Sequence, residues 1–522
     1  MISRKAPAPA TVVLPLFFLL CAAWTAPSAS AQDARDPLAA QVAELAAMVK
    51  ETRIEMQEQR RLIESQADEL ESLRMELARA RNEVLLAKGP SASASAARWH
   101  TTELRPEADS VLSVPAAISA AAAAPAQQSA ASVAAPAAES APKADPSTLR
   151  AYWSSGLKLD TADRKFRLTV GGRIHNDWAA FSSAKDVEAV VGPLQDGTEF
   201  RRSRLHVTGQ IYENVNFKAE YDFAGGANFK DVYVGLSDLP VIGNIQAGHF
   251  KEPFSLEELT SDNYVTFLER SLVNSFAPSR KTGIMASNEL PKQRMTWQLG
   301  VFRDTDALGT GSGDGKYNVT GRITGHPLYQ DEGRKLVHLG FAASRRKPLA
   351  GLFRLRGRPE THLAPNFVDT GSFSGTTLNM IDTEFAIVVN RASLQSEYAH
   401  VFVNRPNANR ASFSSFYVQG TYFLTGEYRV YETGDGLFGR VKPKRNFEAG
   451  PGKGWGAWEL TARYSRIDLD DQPIFGGKLQ DVTLGMNWYL NPNTKIMWNY
   501  VSADRIDVGR ADIFQTRFQV DF

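Results

Sequence analysis

Residues 512–522, DIFQTRFQVDF, decide how this chain is read. Phe514, Phe518, Val520 and the terminal Phe522 occupy alternate positions, so on an extended backbone they project from one side of a strand. The same two-residue period recurs far upstream. In FRLTVGGRIHNDW (166–178), Phe166, Leu168, Val170, Ile174 and Trp178 share one face, and Arg167, Thr169, Arg173, His175 and Asp177 share the other. Phe217, Ala219, Tyr221 and Phe223 alternate with Lys218, Glu220 and Asp222, and further apolar rows run through Met295–Val301 and Trp458–Tyr464.

A soluble sandwich would have to bury the polar faces of such strands, and burying that many Arg, Lys, Asp and Glu side chains in a dry interior is prohibitively costly. A transmembrane barrel inverts the requirement: the apolar face meets lipid and the polar face meets a hydrated lumen. Turn-forming clusters such as AGGAN, GTGSGDG, DTGSFSG and NPNT punctuate the strands. The expected fold over residues 151–522 is therefore an all-β transmembrane barrel of ~16 to 18 antiparallel strands.

The N-terminal third has a different character. A basic start (Arg4, Lys5), an apolar run from Val12 to Trp24 and a small-residue ending at Ala29, Ser30 and Ala31 predict a signal peptide over residues 1–31. The single cysteine, Cys21, lies inside it, which excludes disulfides, zinc–thiolate sites and cysteine nucleophiles from the mature chain. Within residues 32–88, Val42, Val49, Met56, Ile63, Leu70, Leu77 and Val84 recur every seventh position, and Leu38, Leu45 and Leu73 fall on the companion seam, so a coiled-coil helix is expected. Residues 89–150, rich in Ala, Ser and Pro, bury too little to offset their ordering entropy and predict a disordered linker. The net charge of +1 gives no reason to expect nucleic acid as a partner, so electrostatic function must come from where charges sit.

Four blocks occur in order: LTVGGRIHNDW, EFRRSRLHVTGQIYENVNFKAEYDFAGG, FKDVYVGL and GHFKEPFSLEELTSDNYVTFLERSL. Together with the C-terminal aromatic, which looks like the assembly signal of bacterial outer-membrane barrels, they resemble the phosphate-selective porins of Gram-negative outer membranes. The resemblance implies a homotrimer of sixteen-stranded barrels in outer-membrane lipid. Each barrel would have a narrow pore lined by arginine and lysine that passes phosphate or polyphosphate, with a third external loop folded into the lumen. The non-alternating stretch from His249 to Thr282 is the candidate for that loop. For the central site the resemblance points to Arg201 and Arg202 with Arg173 and Lys218, to Asp231 as opposing carboxylate, and to Lys251 from the infolded loop. No catalytic residue, cofactor or metal is implied.

The chemistry suits an anion. A guanidinium donates to two phosphate oxygens at once and stays charged at any ordinary pH, so it replaces water that the ion must shed. In LFRLRGRPE, Arg354, Arg356 and Arg358 are spaced by two, which puts all three on one side of an extended backbone and predicts a ladder that matches the family's own; a solvent-exposed charged loop is the alternative. Arg201 and Arg202 are adjacent and would face opposite sides of a regular strand. Either a bulge or a turn begins here and lets both reach one ion, or the strand starts after them; a bulge is the expected form. Glu252, Glu257, Glu258, Asp262 and Glu269 would oppose anions if they faced the lumen, or brace the loop by pairing with Arg270, Arg280 and Lys281. A general anion or carbohydrate porin is the second reading. An outer-membrane enzyme is disfavoured because His206 and His249 have no nucleophile in a recognisable motif. The coiled coil, placed in the periplasm, would clamp a trimer or tether the barrel to peptidoglycan.

Overall fold

The computed structural model describes residues 148–522 apart from 227, 314–315 and 349–350. The expected signal peptide, the coiled coil and linker residues 89–147 lie outside the described residues. Sixteen strands, each antiparallel to its neighbours, follow one another in chain order and close into a barrel. They are β1 (Phe166–Ser183), β2 (Gly197–Ile211), β3 (Val215–Asp222), β4 (Asn228–Leu239), β5 (Gly243–Lys251), β6 (Arg280–Leu290), β7 (Met295–Arg303) and β8 (Tyr317–Gln330). The circle continues with β9 (Lys335–Arg346), β10 (Thr377–Val389), β11 (Ala392–Asn404), β12 (Ala411–Phe423), β13 (Ala457–Asp471), β14 (Ile474–Asn491), β15 (Thr494–Arg505) and β16 (Gly509–Asp521). Closure is made by β16 against β1, in register from Ala511 opposite Ser183 to Asp521 opposite Arg173. A short hairpin, Leu149–Trp153 with Leu157–Thr161, precedes the barrel and extends the sheet along the first residues of β1. No helix among the described residues is long and apolar enough to cross a membrane.

The alternation sorts side chains as expected. Trp178 and Phe514 are 54% and 52% exposed on the outer face, whereas Asp177, His175 and Arg517, on the opposite face, are buried inside. On the outer face of β13, β14 and β15, Trp458, Trp488 and Trp498 form a stacked row, the kind of aromatic cluster that anchors a barrel at the membrane interface.

The two ends differ. At one end the strands are joined by tight turns, such as 212–214 and 390–391; at the other, the connections 184–196, 252–279, 304–316 and 347–376 are longer. Two of these long connections enter the lumen. Phe254, Leu272, Val273 and Phe276 of 252–279, with Phe367 and Val368 of 347–376, pack against Val401, Phe413, Ile467, Leu479, Val501 and Ile513 on the inner wall. The lumen face of β11 to β16 is thus apolar at the loop end and polar further in, a division that simple alternation does not reveal. From the turn end, the segment 424–456 also folds inward. Tyr431 lies 2.7 Å from His338, Arg322 donates to the Gly436 carbonyl at 3.0 Å, and Arg440 stacks over Tyr264 of 252–279 at 5.2 Å.

The C-terminus seals the barrel by a backbone exchange: Gly172 N–H donates to Phe522 O at 2.7 Å and Phe522 N–H to Gly172 O at 3.0 Å. A Cβ on Gly172 would stand 2.6 Å from the Arg204 carbonyl and 2.7 Å from the Phe522 ring. Gly172→Ala is expected to cost about 1–3 kcal/mol through overpacking, read as a lowered urea midpoint for the refolded barrel in detergent. Gly325→Ala, whose Cβ would meet nothing closer than 3.8 Å, should leave that midpoint unchanged.

Candidate functional site

The site begins with one extra residue. Along β1 and β2, His175 lies opposite Arg202 but Asn176 lies opposite Phe200, so Arg201 is the unpaired residue of a bulge. A slip of one residue reverses the facing of everything beyond it. Arg201 therefore turns inward with Arg202 and Arg204, and its guanidinium reaches Glu269 at 2.8 and 3.1 Å.

Each of these cations meets a carboxylate of segment 252–279 or of the adjoining wall. Arg202 lies 2.9 Å from Asp262, and Arg204 binds Asp262 at 2.8 Å and Asp222 at 2.7 Å. Arg173 lies 3.2 Å from Glu220, and Lys218 bridges Glu220 at 2.9 Å and Asp231 at 2.7 Å. Arg280 takes the other oxygen of Asp231 at 2.7 Å. Arg270 joins Asp262 at 2.7 Å and Glu258 at 3.4 Å, while Lys251 reaches Glu258 at 3.3 Å. One continuous network thus holds Arg173, Arg201, Arg202, Lys218, Asp231 and Lys251. Lys251 stands at the end of β5 rather than within the loop, a correction to its expected position.

The segment crosses the lumen because the far wall supplies its hydrogen bonds. Arg517 donates to the Leu268 carbonyl at 2.6 Å, Asn487 to Thr266 at 2.8 Å, Lys495 to Val265 at 3.0 Å and Gln519 to Asn263 at 3.1 Å. Arg517 also clasps Asp177 through two 2.6 Å bonds and Glu269 at 3.0 Å. Glu252 and Glu257 are tied to Arg346 at 2.7 Å and Arg463 at 3.1 Å. The acidic residues of the segment are therefore braces. Of the partners expected for them only Arg270 serves, since Arg280 pairs with Asp231 and Lys281 with Asp304.

Burial pushes the Asp262 carboxyl up, but the guanidinium groups of Arg202, Arg270 and Arg204 outweigh it and hold the group well below the usual carboxylate range. Glu269 behaves alike: burial opposes its charge, and Arg201, Arg202 and Arg517 overcome that. Arg173 Nε and Arg202 Nη1 are enclosed and make no hydrogen bond; Arg202 is held instead by its ion pairs, with Nε 2.9 Å from Asp262 and Nη1 3.9 Å from Glu269.

Arg354, Arg356 and Arg358 lie in the connection 347–376, apart from this network. They are exposed in alternation with Leu355, Gly357 and Pro359, which are turned inward. Arg354 is held by Asp369 in a two-pronged pair, Arg356 sits opposite the same Asp369, and Arg358 donates to the His362 carbonyl. Sequence reasoning omitted Arg204, Glu220, Arg280 and Arg517 from the site. Period-two phase already put Glu220 on the polar face beside Lys218; nothing local announced that Arg517 would reach across to the segment.

The phosphate-selective porin O and P family model matches residues 168–522. Porin O of Pseudomonas aeruginosa is 26% identical over 416 residues, covering 70% of this chain and 91% of that one. An uncharacterised protein of Caulobacter vibrioides is 28% identical over 415 residues, covering 76% and 80%. Among solved structures, the anion-selective porin from Comamonas acidovorans matches with a TM-score of 0.43 at 14% identity, covering 68% of this chain and 100% of that one. The outer membrane channel DcaP of Acinetobacter baumannii matches with a TM-score of 0.43 at 13% identity, covering 70% and 99%.

Two outcomes follow from the bracing. Arg517→Leu strands the buried carboxylate of Asp177 and removes one of the cations on Glu269, a change expected to cost about 3–5 kcal/mol and to release the segment; single-channel conductance should rise and become noisier. A carboxyl held below its unfolded value, near ~4, stabilises the fold fully above that value and loses its contribution only as pH falls through the lower folded value. The arginine pairs of Asp262 and Glu269 should therefore hold on acidification from neutrality to about pH 4; burial pushes the Glu257 carboxyl up, so the decisive measurement is conductance of Glu257→Gln, in which opening of the segment at about pH 5 would contradict the bracing.

Proposed function

Because the chain belongs to the phosphate-selective porin O and P family and is a β-barrel porin of the bacterial outer membrane, we propose that it conducts anions, with phosphate or polyphosphate preferred. The observation that supports this reading is the composition of the constriction. There Arg173, Arg201, Arg202, Arg204, Lys218, Lys230, Lys251, Arg270, Arg280 and Arg517 outnumber the carboxylates of Asp177, Glu220, Asp222, Asp231, Glu258, Asp262 and Glu269. The carboxylates neutralise part of the field and the surplus favours an anion. Guanidinium groups that exchange a carboxylate partner for the anion replace water on its oxygens as it passes. Partial neutralisation also limits how tightly an ion is held, which conduction requires.

In this reading Arg354, Arg356 and Arg358 guide ions toward the constriction, the barrel assembles as a homotrimer, and the coiled coil over residues 32–88 clamps the trimer or tethers it to peptidoglycan. The pairing of Arg201, Arg202 and Arg204 with carboxylates favours a second reading, a general anion porin without phosphate preference, because less of each guanidinium is left to match a phosphate.

Reversal potentials in a planar bilayer, measured with chloride, phosphate and pyrophosphate, separate the two. Removing one pore-lining charge changes ion preference by about fivefold, the factor for ~1 kcal/mol in a water-filled pore. Arg202→Ala should lower anion-over-potassium selectivity by that order, and Arg356→Ala should lower it less. Equal permeation of chloride and phosphate selects the general porin; equal passage of potassium and phosphate by the unaltered protein refutes anion conduction.

A further inference from the structure

On the opposite side of the lumen from the arginine bulge, β10 and β11 bring three carboxylates together. Asp382, Glu384 and Glu397 each offer an oxygen within 4.8 Å of the others, and all three side chains are buried. Glu384 is accounted for: Arg322 grips both its oxygens at 2.8 Å, and His338 lies at 3.0 Å. Glu397 is half satisfied. Its Oε1 accepts from the Tyr417 hydroxyl at 2.6 Å and from the Glu257 amide at 2.9 Å, while its Oε2 has no partner.

Asp382 is the anomaly. It is 0% exposed, and neither of its oxygens makes a hydrogen bond. Directly across from it on the two flanking strands stand Ala342 and Ala399, which donate nothing from their side chains. An ionised carboxylate in such surroundings needs a counter-charge. A proton shared between Asp382 and Glu397 would join two of the three free oxygens and leave the other Asp382 oxygen bare. A cation at the centre of the triad supplies the counter-charge and takes one oxygen from each residue. Oxygens bound to one calcium ion lie 2.3–2.6 Å from it, so they are mutually separated by no more than about 5 Å, which is the spacing found. Magnesium, with shorter bonds and strict octahedral demands, fits this spacing less well.

We propose that Asp382, Glu384 and Glu397 form a binding site for a divalent cation of the calcium class. The site is built into the wall of a pore whose constriction carries excess positive charge, and it does not depend on which anion that pore prefers. Because Glu397 also accepts the Glu257 amide, the cation would fix a carboxylate on which the infolded segment 252–279 hangs.

The test is calcium binding by equilibrium dialysis of the full-length protein, refolded into detergent free of lipopolysaccharide so that lipid phosphates contribute nothing. The unaltered protein should retain about one calcium per chain. Asp382→Asn and Glu397→Gln should each weaken binding at least about tenfold, as loss of one charged ligand does in oxygen sites. Asp481→Asn is the control, because that buried carboxylate is also unpartnered but belongs to no such triad; it should bind calcium as the unaltered protein does. Folding of each variant is checked by heat-dependent mobility, and if Asp382→Asn fails to fold, Glu397→Gln alone decides. Calcium retention in the unaltered protein no greater than in the Asp382→Asn, Glu397→Gln double variant overturns the proposal and leaves a shared proton or water in its place.

Discussion

The structure depends on the exchange of charge between the segment 252–279 and the barrel wall. A hydrated lumen tolerates irregular backbone, but a chain crossing it must find partners for its carbonyls and amides. The wall provides them from β14, β15 and β16, and in return the segment delivers Asp262 and Glu269 to a cluster of guanidinium groups that would otherwise repel one another. Neither side is stable in this arrangement alone. Without the segment, Arg201 and Arg202 lose their carboxylates, while Arg204 keeps Asp222 and Arg517 keeps Asp177; without the arginines, Asp262 and Glu269 are left unpaired. The narrowness of the pore and its electrostatics are therefore one property.

That coupling explains why the lumen is built in two chemical zones. Charge pairs position the segment where ions pass, but they are long-ranged and specify depth poorly. The apolar contacts of Phe254, Leu272, Val273 and Phe276 against Val401, Phe413, Ile467 and Val501 supply a dense, short-ranged anchor on one side of the lumen. The polar network then occupies the space that this anchor leaves open. The inward-folded segment 424–456 adds a contact from the other end through Arg440 and Tyr264, so the constriction is approached by chain from both mouths.

Alternation made the barrel legible because lipid outside and water inside impose opposite requirements on successive residues of every strand. Trp178, Leu299 and Phe514 lie where that rule puts them. The rule is silent wherever parity changes or a face is not solvated. Nothing in EFRRSR says which residue the partner strand will skip, since a bulge is defined by the pairing of β2 with β1 and not by β2 alone. Ile467 and Leu469 follow Arg463 and Ser465 in phase, yet they are apolar because a loop distant in sequence covers them. The carboxylates of the segment were visible as a list of charges. Their partners were not, because pairs such as Glu269 with Arg517 join positions 248 residues apart.

The paired state of the arginines bears on how the proposed anion pore would conduct. A unit charge pair at ~4 Å is worth about 4 kcal/mol at an effective dielectric of ~20, so several unneutralised guanidinium groups converging on one multivalent anion would trap it. Placing Asp262 between Arg202, Arg204 and Arg270, and Asp231 between Lys218 and Arg280, divides that attraction among competing acceptors. Under the proposed anion conduction, an incoming anion would exchange partners with carboxylates already present rather than fill an empty charge well, and the same carboxylates would reclaim the cations as it leaves. In that reading the acidic residues are the groups that keep a basic constriction from holding its cargo.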